Sequence, residues 1–238
     1  MEEIIRIPTK DNYLIDGTLN YTNKIKEKLI IFVHGLSDNK DHRLIFNAAK
    51  FFKTKGFHTF RFSLYSGDQK GRVLDECSIK TFVEDINTVI EYFKKKYNKI
   101  YIICHSLGFV VLDCKLEGIK KIILWEPSLA LRKERIKELK YEPKSKKYFI
   151  NWGINFVIGK QLKIDWENIN DKKLLKKIKI PMAIFMAENS NLKLGWGKNL
   201  KYLNTKYYYS IIKGASHGFY EEGIDDYLYK ETLKQLNK

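Results

Sequence analysis

The stretch KIYIICHSLGFVVLD, residues 99–113, decides how this chain is read. An apolar run reaches Cys104, the chain turns through His105, Ser106, Leu107 and Gly108, and apolar residues resume at once. A continuous apolar run suits a strand covered on both faces, and the run beyond the turn predicts a helix. A serine is thus presented at a sharp strand-to-helix bend, where small residues are needed two places before it and two after. Gly108 meets the second demand; Cys104, small but not glycine, takes the first place. The helix would point free N–H groups and its positive dipole end at whatever meets Ser106.

Working outward, EEIIRIP and YLIDGTLNY flank the turn TKDN and predict an antiparallel pair. KLIIFVHG and GFHTFRFSLY follow as strands, with Ile45, Ala48, Ala49 and Phe52 at helical spacing between them. Ile79, Phe82, Val83, Ile86, Val89, Ile90 and Phe93 step by three and four and predict the clearest helix. KIILWEP is a strand stopped by Pro127, PMAIFMAE and KYYYSIIKG are two more, and Tyr229, Leu233 and Leu236 mark a closing helix. From about residue 28, strands and helices alternate, which implies a mostly parallel sheet with helices on both faces. The expectation is a single α/β domain over residues 1–238, interrupted by a lysine- and aromatic-rich cap insertion at about 128–178.

The net charge is +16, from 44 Lys and Arg against 28 Asp and Glu. Such a field raises affinity for polyanions and favours acidic substrates or membrane surfaces. The lysines are spread along the chain, so biased composition accounts for them more simply than a specific nucleic-acid partner. The three cysteines, Cys77, Cys104 and Cys114, have neither metal-type spacing nor a disulfide pattern. MEEIIRIPTKDN lacks a signal-peptide core, and no apolar run approaches the ~18 residues of a membrane span. A cytoplasmic setting is the resulting expectation. Nothing resembles a phosphate loop, a dinucleotide fingerprint or a metal cluster, so no cofactor and no metal are expected.

In a parallel sheet, functional groups collect beyond the carboxyl ends of the strands. His217 lies there, in IIKGASHGFY, placed to act as a general base for Ser106. FVHGLSDNK follows the first parallel strand; Gly35 lets the backbone pass close to a substrate, and the Leu36 N–H can join that of Leu107 as an oxyanion donor. His34 reads as a residue that shapes this turn. IIFVHGLSDNK, FHTFRFSLYSGD, CHSLGF, LWEPS and GASHGF, in this order, resemble the α/β-hydrolase family over nearly the whole chain. The likeness is nearest to small esterase-like serine hydrolases. It implies Ser106 as nucleophile, His217 as base and the Leu36 and Leu107 N–H groups as oxyanion hole. Phe109 departs from the family's second glycine, which bears on helix packing.

The acid is where the resemblance strains. Most members carry an aspartate where AENSN places Ser190, and serine holds no imidazolium by charge. Glu126, at the end of KIILWE, is the favoured substitute, as in a minority of the family; Glu188 is the alternative acid. A third arrangement leaves Asn189 or Asn191 to orient the ring. Asp68 is expected to cap a turn or meet Arg72, and Asp85 to lie mid-helix beyond the site. Tyr148, Phe149, Trp152, Phe156 and Trp166 either line an acyl or aryl pocket or pack the insertion onto the domain. The resemblance implies cleavage of a small-molecule carboxylic ester, with thioester or peptide cleavage behind it, while the charge leaves open a non-catalytic relative that binds polyanions.

Overall fold

The apolar runs of the sequence pair into one sheet of eight strands in the computed structural model. The structure describes residues 1–23, 26–68, 70–129, 137–151 and 155–238. β1 (Glu2–Pro8) and β2 (Leu14–Asn20) form the antiparallel pair, and β2 joins β4 (His58–Phe62) antiparallel. β3 (Lys28–Val33), β4, β5 (Lys99–His105), β6 (Ile119–Trp125), β10 (Met182–Ala187) and β11 (Tyr207–Ile212) run parallel. Across the sheet the order is β1-β2-β4-β3-β5-β6-β10-β11.

Alternation along each strand divides the core into two layers. Ile31, Val33, Ile102, Cys104, Ile122, Leu124 and Ile184 face one side, against α2 (Ile79–Lys94). Ile30, Phe32, Ile103, Ile123, Trp125 and Phe185 face the other, against α1 (Arg43–Thr54) and the closing helix α6 (Ile224–Leu236). α2 starts at a reciprocal cap in which Ser78 and Thr81 satisfy each other's backbone N–H. It buries Ile79, Phe82, Ile86, Val89, Ile90 and Phe93, each worth about 1.5–3 kcal/mol of transfer free energy.

The segment after Ser106 is a 3-10 helix, Ser106–Asp113, where the sequence predicts a helix of ordinary pitch. The crossover from β5 to β6 is short and must travel back the length of a seven-residue strand, roughly 23 Å. Eight residues of 3-10 helix cover about 16 Å, against about 12 Å for an α-helix. Leu107, Phe109, Val110, Val111 and Leu112 are all buried, so the run has no polar face to set its pitch.

Between β6 and β10 lies a separate antiparallel sheet of β7 (Lys140–Glu142), β8 (Lys147–Asn151) and β9 (Asn155–Ile158), followed by α3 (Lys160–Asn168) and α4 (Asp171–Lys176). α5 (Leu192–Asn199) follows β10. Trp166 is buried in the main core, Phe149 is exposed, and Tyr148 and Phe156 are half-buried against the core. Trp152 lies outside the described residues. No helix among the described residues is long and apolar enough to cross a membrane.

Arg72 departs from the expected pairing. It grips Asp85 at 2.6 Å and Asp11 at 2.8 Å, tying α2 to the β1–β2 turn. Asp68 uses its backbone instead, its carbonyl accepting the Gly71 N–H. Burial raises the Asp85 carboxyl against the pull of Arg72. Asp85 does lie mid-helix, and its partner comes from a loop thirteen residues earlier.

Candidate active site

Ser106 begins the 3-10 helix directly after β5 and takes a left-handed φ of +51°. A Cβ at position 108 would come within 2.7 Å of the Val33 carbonyl and 3.0 Å of Cys104 Cβ. That contact explains the small-residue demand: glycine at 108 makes room for cysteine at 104. Ser106 is held in a backbone region that L-residues seldom adopt, a strain the packing around the turn must outweigh. Of seven non-glycine residues at positive φ among the described residues, five, Ser37, Lys70, Ser106, Glu126 and Phe219, lie in segments that follow the carboxyl ends of parallel strands.

His217 comes from the loop between β11 and α6, and its Nε2 stands 2.9 Å from Ser106 Oγ. The hydroxyl can donate its hydrogen to that nitrogen. Glu126 is fully buried; its Oε1 lies 3.9 Å from His217 Nδ1, and its Oε2 accepts the Ala187 N–H at 2.5 Å. Glu126 takes a left-handed φ of +44°. The neighbours lock that turn, since the Trp125 indole donates to Thr232 and the Trp196 indole donates to the Pro127 carbonyl.

Glu188 is placed differently. It is exposed, and its carboxylate accepts the Gly214 N–H at 2.9 Å, bracing the turn after β11. Ser190 accepts the Leu192 N–H at the start of α5. Asn189 donates to the Gly214 carbonyl, and Asn191 is the residue preceding α5.

The loop after β3 closes the site's other wall. A Cβ on Gly35 would sit 3.0 Å from Ser106 Cβ, so Leu36 follows directly on the serine's flank. Leu107 lies in the first turn of the 3-10 helix, where N–H donors lack intrahelical acceptors. His34 is fully buried with both ring nitrogens engaged, donating from Nδ1 to the Gly35 carbonyl at 2.7 Å and accepting the Leu64 N–H on Nε2 at 2.9 Å. Burial pushes its pKa down to about 4, so it is a neutral strut of this turn.

Beyond Leu36 the same loop carries an acidic residue beside the serine turn that the sequence motifs do not single out. Asp38, three residues after Gly35, lies 3.5 Å from His105 Nδ1 and 3.3 Å from His42 Nε2. His105 donates from Nε2 to the His217 carbonyl at 2.9 Å. A sequence signal exists for the pair, as an aspartate just past the glycine turn and a histidine just before the serine. Among the described residues no group of three or more side chains is arranged to hold a metal ion, and Cys77, Cys104 and Cys114 are free and buried.

No family model matches the sequence, and no curated protein matches it either. Solved structures do match. Est1E from Butyrivibrio proteoclasticus, with ferulic acid bound, gives a TM-score of 0.80 at 17% identity, covering 98% of this chain and 100% of its own. The α/β hydrolase GrgF from Penicillium sp. sh18 gives 0.78 at 14% identity, covering 100% and 97%. Alpha/beta hydrolase domain-containing protein 10 from mouse gives 0.72 at 15% identity, covering 99% and 98%. The chain has the α/β-hydrolase fold, and at these identities the likeness is one of fold.

Proposed function

We propose that this protein is a serine hydrolase that cleaves a small-molecule carboxylic ester through an acyl-serine intermediate. The observation that carries the reading is the 2.9 Å approach of His217 Nε2 to the hydroxyl of a serine held at positive φ in a strand-to-helix turn. The Ser106 hydroxyl proton passes to His217 Nε2 as Oγ bonds to the substrate carbonyl carbon. The carbonyl oxygen takes the negative charge and is met by the N–H groups of Leu36 and Leu107. Glu126 balances the imidazolium from behind. His217 then gives its proton to the leaving alkoxide, and the carbon–oxygen bond to the alcohol breaks. Water, deprotonated by the same ring, attacks the acyl-serine; the acid leaves and the serine regains its hydrogen.

No step draws on a metal or cofactor. The insertion is proposed as a cap, with Tyr148 and Phe156 among the aromatics available to line an acyl pocket, and the net charge of +16 favours anionic esters. Neighbours of the same fold described as esterase and dienelactone hydrolase support the reaction class. The test is turnover of a panel of p-nitrophenyl esters: Ser106→Ala should remove nearly all of it, and unchanged hydrolysis by that variant would end the reading.

A further inference from the structure

Asp38 lies at the centre of a second set of polar groups, behind the serine and apart from Glu126. Its Oδ2 faces His105 Nδ1 and its Oδ1 faces His42 Nε2. Each imidazole reaches on to the loop that carries the general base. His105 donates to the main-chain carbonyl of His217 itself, and His42 Nε2 is 2.7 Å from the hydroxyl of Tyr220, three residues further along. Asp38 and His105 are largely buried, with side-chain exposures of 13% and 5%. The set packs on the serine directly: the space that a Cβ on Gly35 would fill is bounded by Ser106 Cβ, Asp38 Oδ2 and His105 Nδ1 at 3.0–3.2 Å.

The donor accounting explains why the carboxylate is there. Both ring nitrogens of His105 face acceptors, a carbonyl on one side and a carboxylate on the other. Asp38 stands 3.5 Å from the buried Nδ1, so its charge acts on a ring whose other nitrogen is tied to the His217 main chain. Burial works to raise the Asp38 carboxyl; the imidazoles of His105 and His42 beside it outweigh that and hold the group below its ordinary value. At 3.9 Å, Glu126 offers the His217 ring charge more than direction. His105 holds the main chain that carries the ring, and a 1 Å misplacement at a reacting centre costs about 100-fold.

We infer that Asp38 and His105 are positioning residues: one carboxylate–imidazole pair joins the oxyanion loop, the nucleophile turn and the His217 loop, and so aims the base at Ser106. The inference rests on the ester-hydrolase reading, and neither residue touches substrate. It is tested with Asp38→Asn, which keeps the shape and an acceptor but loses the charge, with His105→Gln, and with the double variant. For each, kcat and KM are measured on p-nitrophenyl butyrate, together with the rate of fluorophosphonate labelling at Ser106. Each single change should lower kcat and the labelling rate about 10–100-fold, with KM within about twofold. The double variant should be no slower than the slower single, because the pair acts as one unit.

Single variants that label and turn over like the unchanged protein overturn the inference. So do losses confined to KM, or losses that multiply in the double variant. Melting temperatures are taken alongside, and where His105→Gln fails to fold, Asp38→Asn carries the test. An unchanged protein that neither labels nor turns over any ester overturns the ester-hydrolase reading instead. In that case histidine side-chain nitrogen NMR still decides the positioning: Asp38→Asn should shift the His217 ring resonances, and unmoved resonances would refute it.

Discussion

Replacing Glu126 by glutamine removes the charge behind the His217 ring with almost no change of shape. In the present geometry Oε2 accepts the Ala187 N–H, and Oε1 faces His217 Nδ1 at 3.9 Å. A glutamine must keep its oxygen on Ala187, since the amide group cannot accept there, and this turns its NH2 toward Nδ1. Two donors would then face each other. The ring escapes by moving its hydrogen to Nε2, the nitrogen that has to receive the Ser106 proton. The electrostatic loss can be sized separately. A unit charge 3.9 Å from the imidazolium, at an effective dielectric of about 20, is worth about 4 kcal/mol. That is roughly a thousandfold in rate, and the wrong tautomer extends it toward ~10⁴. Steady-state kinetics on a p-nitrophenyl ester should therefore show Glu126→Gln losing about 10³–10⁴ in kcat with little change in KM. Glu188→Gln, which keeps its acceptor for Gly214, should stay within about twofold. A Glu126→Gln protein within tenfold of the unchanged one, or a larger loss from Glu188→Gln, would refute the assignment.

Gly35→Ala introduces a Cβ 3.0–3.2 Å from Ser106, Asp38 and His105, tighter than an ordinary contact, so these groups must shift. Urea unfolding should report a loss of about 1–3 kcal/mol, and kcat should fall while Ser106 remains present; an unaltered enzyme would show that the loop sits further from the serine. His34 gives a pH signature. Its folded pKa of about 4 lies below its ordinary 6.5, so the unfolded chain takes up a proton that the folded chain refuses. Stability is therefore complete above pH 6.5 and is lost as pH falls toward 4, by about 3 kcal/mol from this group. A His34→Gln protein, less stable throughout, should show a correspondingly flatter fall in melting temperature over that window; an equal slope would assign the acid loss elsewhere.

The parallel strands are legible because burial on both faces writes them as unbroken apolar runs, such as Leu29–Val33 and Ile100–Cys104. Ser106 and His217 are legible for a related reason: each follows such a run at a turn whose spelling is narrow. The rest depends on distances that a linear text does not carry. Glu126 and Glu188 both end strands and look alike in sequence; what separates them is that Glu126 takes a left-handed φ and is buried beneath the ring, whereas Glu188 turns outward to brace Gly214. The 3-10 form of Ser106–Asp113 is hidden because an all-apolar run fits either helix. Asp38 looks like an ordinary polar loop residue until the fold sets it against His105, sixty-seven positions away. Trp166 shows the reverse case, an aromatic eligible for a pocket that the core absorbs.

The central claim is that Ser106 is a nucleophile activated by His217. Its most direct measurement is intact-protein and peptide mass spectrometry after brief exposure to a fluorophosphonate. The account predicts one adduct, on the peptide holding Ser106, absent from Ser106→Ala and slowed at least a hundredfold in His217→Ala. A folded protein that takes up no adduct, or takes it up at another residue, would contradict it.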